Sequence, residues 1–282
     1  PRTVLVACAR ERERERRRGK LTDTHAHTDW HRRGMASAEA IKRITNDLEQ
    51  IFEEEELLAF VFPDEEDITK MQCIIVGPEG TPYEGGFFLF DFVFPPNYPF
   101  KPPAVKILTT DGGLVRFNPN LYSNGKVCLS LLGTWEGPQW TPIHSTLSVI
   151  QAIQSMIMNP TPYHNEPGYE VESSSGESVR YNHCIIHETL RVAVISMVRD
   201  VLDGKFPDFV EVVEDHFVEN FDRYLEIASK NMELDGTSFA DPFGELNGTF
   251  GFSRLRDDLV ALKERVDKHI EERPADSDGD TE

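Results

Sequence analysis

The sequence has no apolar run long enough to cross a lipid bilayer. Its longest apolar stretches, 57–62 and 192–198, are far shorter than the roughly 20 residues of a transmembrane helix, and Ser196 interrupts the second. We therefore predict a protein without a membrane span and without a membrane partner.

Cysteine is also scarce, and its positions form no recognisable pattern. Cys8, Cys73, Cys128 and Cys184 lie far apart with no Cys-x-x-Cys pair, and the ordered sections of a secretory signal peptide are missing. This indicates free thiols in a reducing compartment and no bound metal.

Basic residues are few relative to acidic ones. The 282 residues carry 29 Lys and Arg against 49 Asp and Glu, a formal net charge of −20 at pH 7. The first 34 residues hold 10 of the basic and 5 of the acidic residues, so the remainder is more acidic still. Because nucleic-acid binding requires clustered Lys and Arg, we exclude nucleic acid as a partner of the folded part.

The residues that are present predict an α+β fold. A first helix begins at the N-cap Ser37 and ends near Glu53, because apolar residues recur every three or four positions: Ile41, Ile44, Leu48 and Ile51. Strand patterns follow at 57–62, 71–76, 87–94 and 105–108, and the turn at Gly85-Gly86 indicates an antiparallel meander. In the third strand both faces are apolar, so we expect a helix to cover at least one of them.

The second half of the chain is predicted to be mostly helical. Residues 94–103 contain five prolines and must form a rigid surface loop. Thr141-Pro142 is typical of an N-cap followed by proline at the first helical position, and it predicts a second helix through Ile157. Further helical patterns cover 178–203, 208–231 and 252–271.

We divide the chain into four segments. Residues 1–34 are either a disordered leader or translated sequence upstream of a true start at Met35, and 36–231 form the core. Residues 232–273 form a helical extension whose apolar stripe packs on the core or waits for a partner, and we expect packing on the core. Residues 274–282 form an acidic disordered tail.

One stretch combines features that point to chemistry. Cys128 lies in an extended apolar run just after the Asn124-Gly125 turn and eight residues after Asn120. A lone cysteine is usually a small buried apolar residue, which fits Cys73 in a strand and Cys184 on a helix. Cys128 differs because prolines, turns and an amide side chain converge on it.

The order of motifs around Cys128 resembles the ubiquitin-conjugating enzyme family. The motifs are the first helix, the meander, Tyr98-Pro-Phe-Lys-Pro-Pro103, Asn118-Pro-Asn120, Asn124-Gly125, Cys128-Leu129 and Gln139-Trp-Thr-Pro142. Three further motifs resemble the family's Z subclass, whose members have an extended C-terminal region: Thr134-Trp135, Pro162-Tyr-His-Asn-Glu-Pro-Gly168 and Asp241-Pro-Phe-Gly-Glu245.

The resemblance implies that Cys128 accepts ubiquitin, or a ubiquitin-like modifier, as a thioester and passes it to a substrate amine. Asn120 is implied to stabilise the oxyanion of that attack, and the alternative is that it only braces its loop. The family's usual His-Pro-Asn motif has Asn118 at its first position here. In the family that histidine mainly braces the loop, so Asn118 puts the support of the loop in doubt more than the chemistry.

Other positions inherit expected roles from the same resemblance. His164, Asn165 and Glu166 are the candidates for a gate residue beside the incoming lysine, and we do not choose among them. Trp135, in a longer loop at 133–138, is either a contact for donor or acceptor or the apolar anchor of that loop.

Partners are likewise implied by the family. Lys42 and Arg43, exposed on the first helix, suit an acidic groove of the activating enzyme, while Phe100, Pro142 and Ile143 would meet a RING or HECT ligase. Further partners are ubiquitin, a tandem ubiquitin-like modifier and protein substrates. We expect no tightly bound cofactor, since ATP is consumed upstream by the activating enzyme, and a location in cytoplasm and nucleus.

Two rival functions remain. An inert variant that binds ubiquitin without carrying it would lack the cysteine, whereas Cys128 is present. A cysteine hydrolase would pair Cys128 with His144, His164 or His183, but papain-like enzymes place the nucleophile at a helix N-terminus, and the sequence around Cys128 indicates an extended segment.

Overall fold

An antiparallel sheet of four strands in chain order lies at the centre of the fold. The computed structural model describes residues 36–54, 56–172 and 174–273, so the predicted leader and acidic tail lie outside the described residues. The strands are β1 (Ala59–Pro63), β2 (Lys70–Val76), β3 (Phe87–Val93) and β4 (Ala104–Ile107). The predicted meander is confirmed, with Val61 opposite Cys73 and Cys73 opposite Phe90.

Among the described residues, one α-helix precedes the four-stranded sheet in the chain and six follow it. They are α1 (Ala38–Glu53), α2 (Thr146–Ala152), α3 (Glu177–Glu188), α4 (Met197–Leu202), α5 (Val210–Glu219), α6 (Phe221–Lys230) and α7 (Phe252–Glu272). A short hairpin, β5 (Ser238–Ala240) with β6 (Asn247–Thr249), separates α6 from α7, and the sequence patterns did not predict it. Within the described residues, no helix combines the length and apolar character that a membrane crossing requires.

Helix α1 begins where the sequence predicts. The Ser37 side chain accepts a hydrogen bond of 3.1 Å from the Ala40 amide, which satisfies one of the unpaired donors of the first turn. Ile44, Leu48 and Ile51 are buried as expected. Ile41 is 41% exposed, so its assignment to the buried stripe was wrong, and the stripe is narrower than predicted.

Strand β3 is covered on both faces because its side chains alternate between two apolar cores. Phe88, Phe90 and Phe92 pack with α1 and α2 in the first core. Phe87 and Leu89 pack with α3 to α7 in the second. The expectation of a covering helix is therefore confirmed, and helices cover both faces of the strand. Within β3 only Val93, at the end of the strand, is exposed.

The second helix starts later than predicted. Thr141-Pro142 forms a turn, and α2 begins at Thr146, whose backbone amide donates to the Asp47 carboxylate at 2.9 Å. The Ser148 hydroxyl also accepts from the Ser145 amide at 3.2 Å, which completes the N-terminus. The prediction took Thr141 as the N-cap, whereas the N-cap is Ser145, and the Asp47 carboxylate of α1 adds a long-range bond at the same end.

The C-terminal helices contain two interruptions. A π-helical segment, Thr189–Ser196, joins α3 to α4. The single helix predicted at 208–231 is two helices, α5 and α6, which meet at Asn220. There the backbone leaves the helical region, and the Asn220 side chain donates to the His216 carbonyl at 2.9 Å.

Helix α7 packs against the rest of the protein. Its predicted apolar stripe is entirely buried in the second core: Phe252, Leu255, Leu259, Leu262 and Val266. The expectation that this stripe packs on the core is confirmed. The outer face of β2 and β3 and the helical extension therefore share one core.

Candidate functional site

Cys128 lies on an extended segment between an isolated β-bridge and a 3₁₀ turn. The bridge joins Leu121 to Val127, and the turn spans Ser130–Leu132. The Cys128 amide donates to the Asn120 carbonyl at 2.9 Å, and the residue is 1% exposed. The predicted extended conformation is confirmed.

The other two described cysteines are buried within regular secondary structure. Cys73 lies in the middle of β2 and Cys184 on α3, and both are buried and unbridged. Burial disfavours the thiolate, which raises the pKa of Cys184 to about 12 and that of Cys73 still further. Neither thiol is suited to nucleophilic attack, so Cys128 remains the reactive candidate.

The Asn120 side chain reaches the backbone of Cys128. Its amide nitrogen donates to the Cys128 carbonyl at 2.9 Å, and the side chain is nearly buried. This contact is the bracing arrangement that the sequence left as an alternative. A carboxamide nitrogen carries two hydrogens, so one donor is used here and the group stays beside the cysteine.

Asn118 fills the position at which the family motif has histidine, and all of its hydrogen-bonding capacity is used. Its amide nitrogen donates at 2.8 Å to the Tyr83 hydroxyl and at 2.8 Å to the Ile157 carbonyl. Its oxygen accepts from the Asn120 amide at 2.8 Å and from the Asn165 side chain at 3.3 Å. Two donors and two acceptors are all that an asparagine has, so the departure from the motif leaves the scaffold satisfied.

Thr134 is a site residue that sequence reasoning did not single out for this role. Its hydroxyl donates to the Val127 carbonyl at 2.7 Å and accepts from the Leu129 amide at 3.0 Å. One side chain therefore holds the backbone on both sides of Cys128. Its spacing of six residues after the cysteine was visible, but nothing local indicated that the chain turns back.

Arg116 is a second residue that the sequence did not mark. Its guanidinium donates to the Pro119 carbonyl at 2.7 Å and lies 4.1 Å above the Tyr122 ring. It also pairs with Glu166 at 3.2 Å and with Glu245 at 2.8 Å. One nearly buried cation thus connects the loop before Cys128, the loop at 162–168 and the C-terminal extension.

Glu245 belongs to the Asp241-Pro-Phe-Gly-Glu245 motif, which lies at the tip of the β5–β6 hairpin. Phe243 of that motif stacks on Tyr163 with ring centroids 5.6 Å apart and meets Tyr169 edge-on at 5.1 Å. Burial raises the pKa of Asp241, whose carboxylate accepts from the Glu245 amide at 2.8 Å. The motif therefore anchors the extension beside the site, a contact that spacing alone could not predict.

The three gate candidates do not lie in equivalent places. Asn165 and Glu166 contact the loop before Cys128, through Asn118 and Arg116 respectively. His164 is exposed, and its ring bonds to the Tyr169 carbonyl at 2.8 Å within its own loop. The structure thus brings two of the three candidates to the site.

The predicted partner residues are mostly exposed, with one correction. Lys42 and Pro142 are exposed, as are Phe100 at 75% and Ile143 at 87%. Arg43 is not a free cation: it pairs with Asp47 at 2.7 Å and donates to the Pro142 and His144 carbonyls at 2.8 and 2.5 Å. Trp135, in the loop at 133–138, is half-buried. The prediction of an exposed Arg43 was wrong because Asp47 lies one helical turn away.

The histidines of the hydrolase alternative are engaged elsewhere. The His144 ring accepts from the Thr141 amide at 3.0 Å in its own turn, and His183 lies on α3, where burial lowers its pKa. Among the described residues, no group of three or more His, Cys, Asp and Glu side chains meets to hold a metal ion.

We predict that Asn118→Ala lowers the free energy of unfolding by about 3 kcal/mol or more. The substitution leaves the buried Asn120 amide without its acceptor, at roughly 1–3 kcal/mol, and removes the bonds to the Ile157 carbonyl and the Tyr83 hydroxyl, which keep Asn165 and the Phe117 carbonyl as partners, at about 1 kcal/mol each. Urea denaturation measures the change. The exposed Asn46→Ala on α1 is the control, with an expected change under about 0.5 kcal/mol; equal effects would contradict the role of Asn118.

Comparisons with known proteins agree with this geometry. Residues 43–182 match the family model described as ubiquitin-conjugating enzyme. The chain is 48% identical over 254 residues to ubiquitin-conjugating enzyme E2 Z of Xenopus tropicalis, covering 89% of this chain and 79% of that protein. It is 45% identical over 262 residues to the Homo sapiens protein of the same name, covering 92% and 72%.

A partial match has a different context. The Homo sapiens dual E2 ubiquitin-conjugating enzyme/E3 ubiquitin-protein ligase BIRC6 is 44% identical over 166 residues, which cover 56% of this chain and 3% of that protein. With a cysteine braced by an Asn-Pro-Asn loop and relatives aligned over most of its length, the chain belongs to the ubiquitin-conjugating enzyme family and is an E2 transferase.

Proposed function

We propose that this chain carries ubiquitin, or a ubiquitin-like modifier, as a thioester on Cys128 and transfers it to substrate lysines together with a ligase. The observation that carries the proposal is the double bracing of the backbone at Cys128: Asn120 donates to the Cys128 carbonyl, and Thr134 holds Val127 and Leu129 on either side. Catalysis by a thiol requires a nucleophile that is fixed in position and can ionise, and burial raises the pKa of the other described cysteines.

The reaction has two acyl transfers. First the Cys128 thiolate attacks the thioester carbonyl of the modifier held by the activating enzyme, and the cysteine thiolate of the activating enzyme leaves. A substrate lysine amine then attacks the new thioester and forms a tetrahedral oxyanion. This intermediate collapses to an amide, the Cys128 thiolate leaves, and the amine nitrogen loses a proton. The thioester supplies the driving force, so no ATP and no tightly bound cofactor is needed at this step.

Asn120 is the residue we assign to the oxyanion. Its amide nitrogen lies 2.9 Å from the Cys128 carbonyl oxygen, so a fixed donor is held beside the backbone of the reacting residue. Bracing and oxyanion stabilisation are compatible, because the amide nitrogen has a second hydrogen.

Glu166 is the gate candidate that we favour. The Asn165 side chain is held by the Ile157 carbonyl at 3.2 Å and by Asn159 at 2.8 Å, and His164 is held within its loop. Glu166 contacts Arg116 and remains partly exposed, so its carboxylate has acceptor positions for an incoming lysine.

Exposed residues suit the remaining partners. Phe100 and Ile143, with Pro142, present apolar surface for a RING or HECT ligase, and Lys42 presents a cation to the activating enzyme. Arg43 would act there by fixing the 142–144 turn. We assign the choice of activating enzyme and modifier to the C-terminal extension. For the whole chain we propose a location in cytoplasm and nucleus and no nucleic-acid partner.

We predict that Cys128→Ser converts a reducible adduct into a stable one. Wild type incubated with activating enzyme, ATP and ubiquitin, or with a panel of modifiers and their activating enzymes, should give a band that reducing agent removes. Cys128→Ser should give an oxyester band that survives, and Cys73→Ser should charge normally if it folds. A reducible adduct on Cys128→Ala would contradict the assignment.

We predict that Asn120→Ala separates charging from discharge. Loading should be nearly normal, whereas discharge to free lysine should slow about a hundredfold, the usual cost of one oxyanion donor. Single-turnover discharge of the purified thioester measures the rate, and a melting curve verifies folding. An unchanged discharge rate on a folded variant leaves Asn120 with the bracing role alone.

We predict that Glu245→Ala slows discharge several-fold while charging continues. Without Glu245 the guanidinium of Arg116 loses one of its two carboxylates, and its hold on the Pro119 carbonyl loosens. Glu233→Ala, in the same extension but away from Arg116, is the control. Discharge at the wild-type rate by both variants would show that the extension does not position the loop.

A further inference from the structure

A groove of about 570 Å³ lies on the side of the sheet away from the site described above. It runs along β1 and is closed on the far side by α5 and α6. Phe60 and Phe62 of β1 form one apolar wall and are only half-buried, while Val212 of α5 faces them. The volume is in the range of about 300–1,000 Å³ that ligand pockets occupy.

The rim of this groove is acidic. Glu54, Glu79, Asp208 and Glu219 line it, and three of them are exposed. Among the described residues that line the groove, Arg223 is the only Lys or Arg. Its guanidinium pairs with the carboxylates of Glu84 at 2.5 Å and Glu226 at 2.6 Å, which neutralise its charge. The rim therefore carries negative charge that a cationic ligand would neutralise.

Strand β1 also offers unpaired backbone groups. It pairs with β2 on one side, and no described strand pairs with the other. The Leu58 carbonyl accepts from the Val76 amide at 2.9 Å, so by strand alternation the amides and carbonyls of Ala59 and Val61 point away from β2. An apolar strand edge of this kind is a template for an added strand.

We infer that this groove binds an extended peptide segment of a partner protein, which adds to β1 as a strand. Apolar side chains at alternate positions would contact Phe60, Phe62 and Val212, and Lys or Arg at both ends would meet the acidic rim. Like-charge repulsion disfavours an acidic or phosphorylated peptide. A helix cannot bond to the edge of β1, because its backbone groups are already used within it.

The test measures binding of labelled peptides to the full chain by fluorescence anisotropy. The probe is Arg-Lys-Val-Thr-Val-Thr-Val-Lys-Arg, with one counterpart in which Glu replaces Arg and Lys and another in which Pro replaces both Thr. The probe should bind at micromolar concentration, and both counterparts at least tenfold more weakly. Equal binding of the proline peptide overturns strand addition, and equal binding of the glutamate peptide overturns the charge argument.

Matched variants separate the groove from general attraction to an acidic protein. The double substitution Asp208→Arg and Glu219→Arg should weaken binding of the probe at least tenfold. Asp257→Arg with Glu264→Arg changes the net charge equally on the exposed face of α7 and should alter affinity less than twofold. Equal losses in the two variants overturn the site.

A backbone substitution tests the edge directly. Ala59→Pro removes an amide that does not pair with β2, so the sheet should keep its melting temperature. Binding should fall at least tenfold, and wild-type affinity in this variant overturns the strand-addition model. Should the variant melt lower, the proline peptide supplies the same information without altering the protein.

Discussion

The active-site arrangement depends on the four hydrogen bonds of one buried side chain, Asn118. Its donors hold the Tyr83 hydroxyl and the Ile157 carbonyl, at the end of the π-helical segment Ile153–Ile157 that follows α2, and its oxygen holds the backbone of Asn120 and the side chain of Asn165. A buried amide is stable only when each of these groups finds its partner. The meander, the second helix and the loop at 162–168 must therefore be in place together before Asn120 can reach Cys128.

Arg116 extends that dependence to the C-terminal region. The Arg116 guanidinium is nearly buried, and a buried cation must be compensated by carboxylates and carbonyl oxygens. The carbonyls come from the loop before the cysteine, one carboxylate from Glu166 and the other from Glu245. Phe243 fixes the same hairpin by stacking on Tyr163. The extension is thus both part of the second core and a structural neighbour of the nucleophile.

Local signals predicted much of the fold, and long-range contacts account for the failures. The Ser37 cap, the four strands and the stripe on α7 follow from periodicity and capping, which neighbouring residues determine. The start of α2 is an exception: its N-cap Ser145 and Ser148 are local, but Thr141-Pro142 offered an earlier capping signal, and the bond from Thr146 to Asp47 joins residues 99 apart in the chain. Cys128 and Asn120 were identifiable through an ordered motif, whereas the roles of Arg116 and Thr134 depend on which distant backbone groups they meet.

The two residues that brace Cys128, Asn120 and Thr134, are themselves held to different extents by the rest of the protein. At 1% exposure Cys128 cannot meet a protein-sized thioester without local movement. The loop that carries Asn120 is tied by Asn118 and Arg116 to four other segments, so displacing it would expose several buried polar groups. Thr134 holds Val127 and Leu129 on either side of the cysteine, and Thr134 itself is exposed. Breaking the Thr134 contacts therefore exposes fewer buried polar groups than moving the Asn120 loop, and it leaves the bond from Asn120 to the Cys128 carbonyl in place.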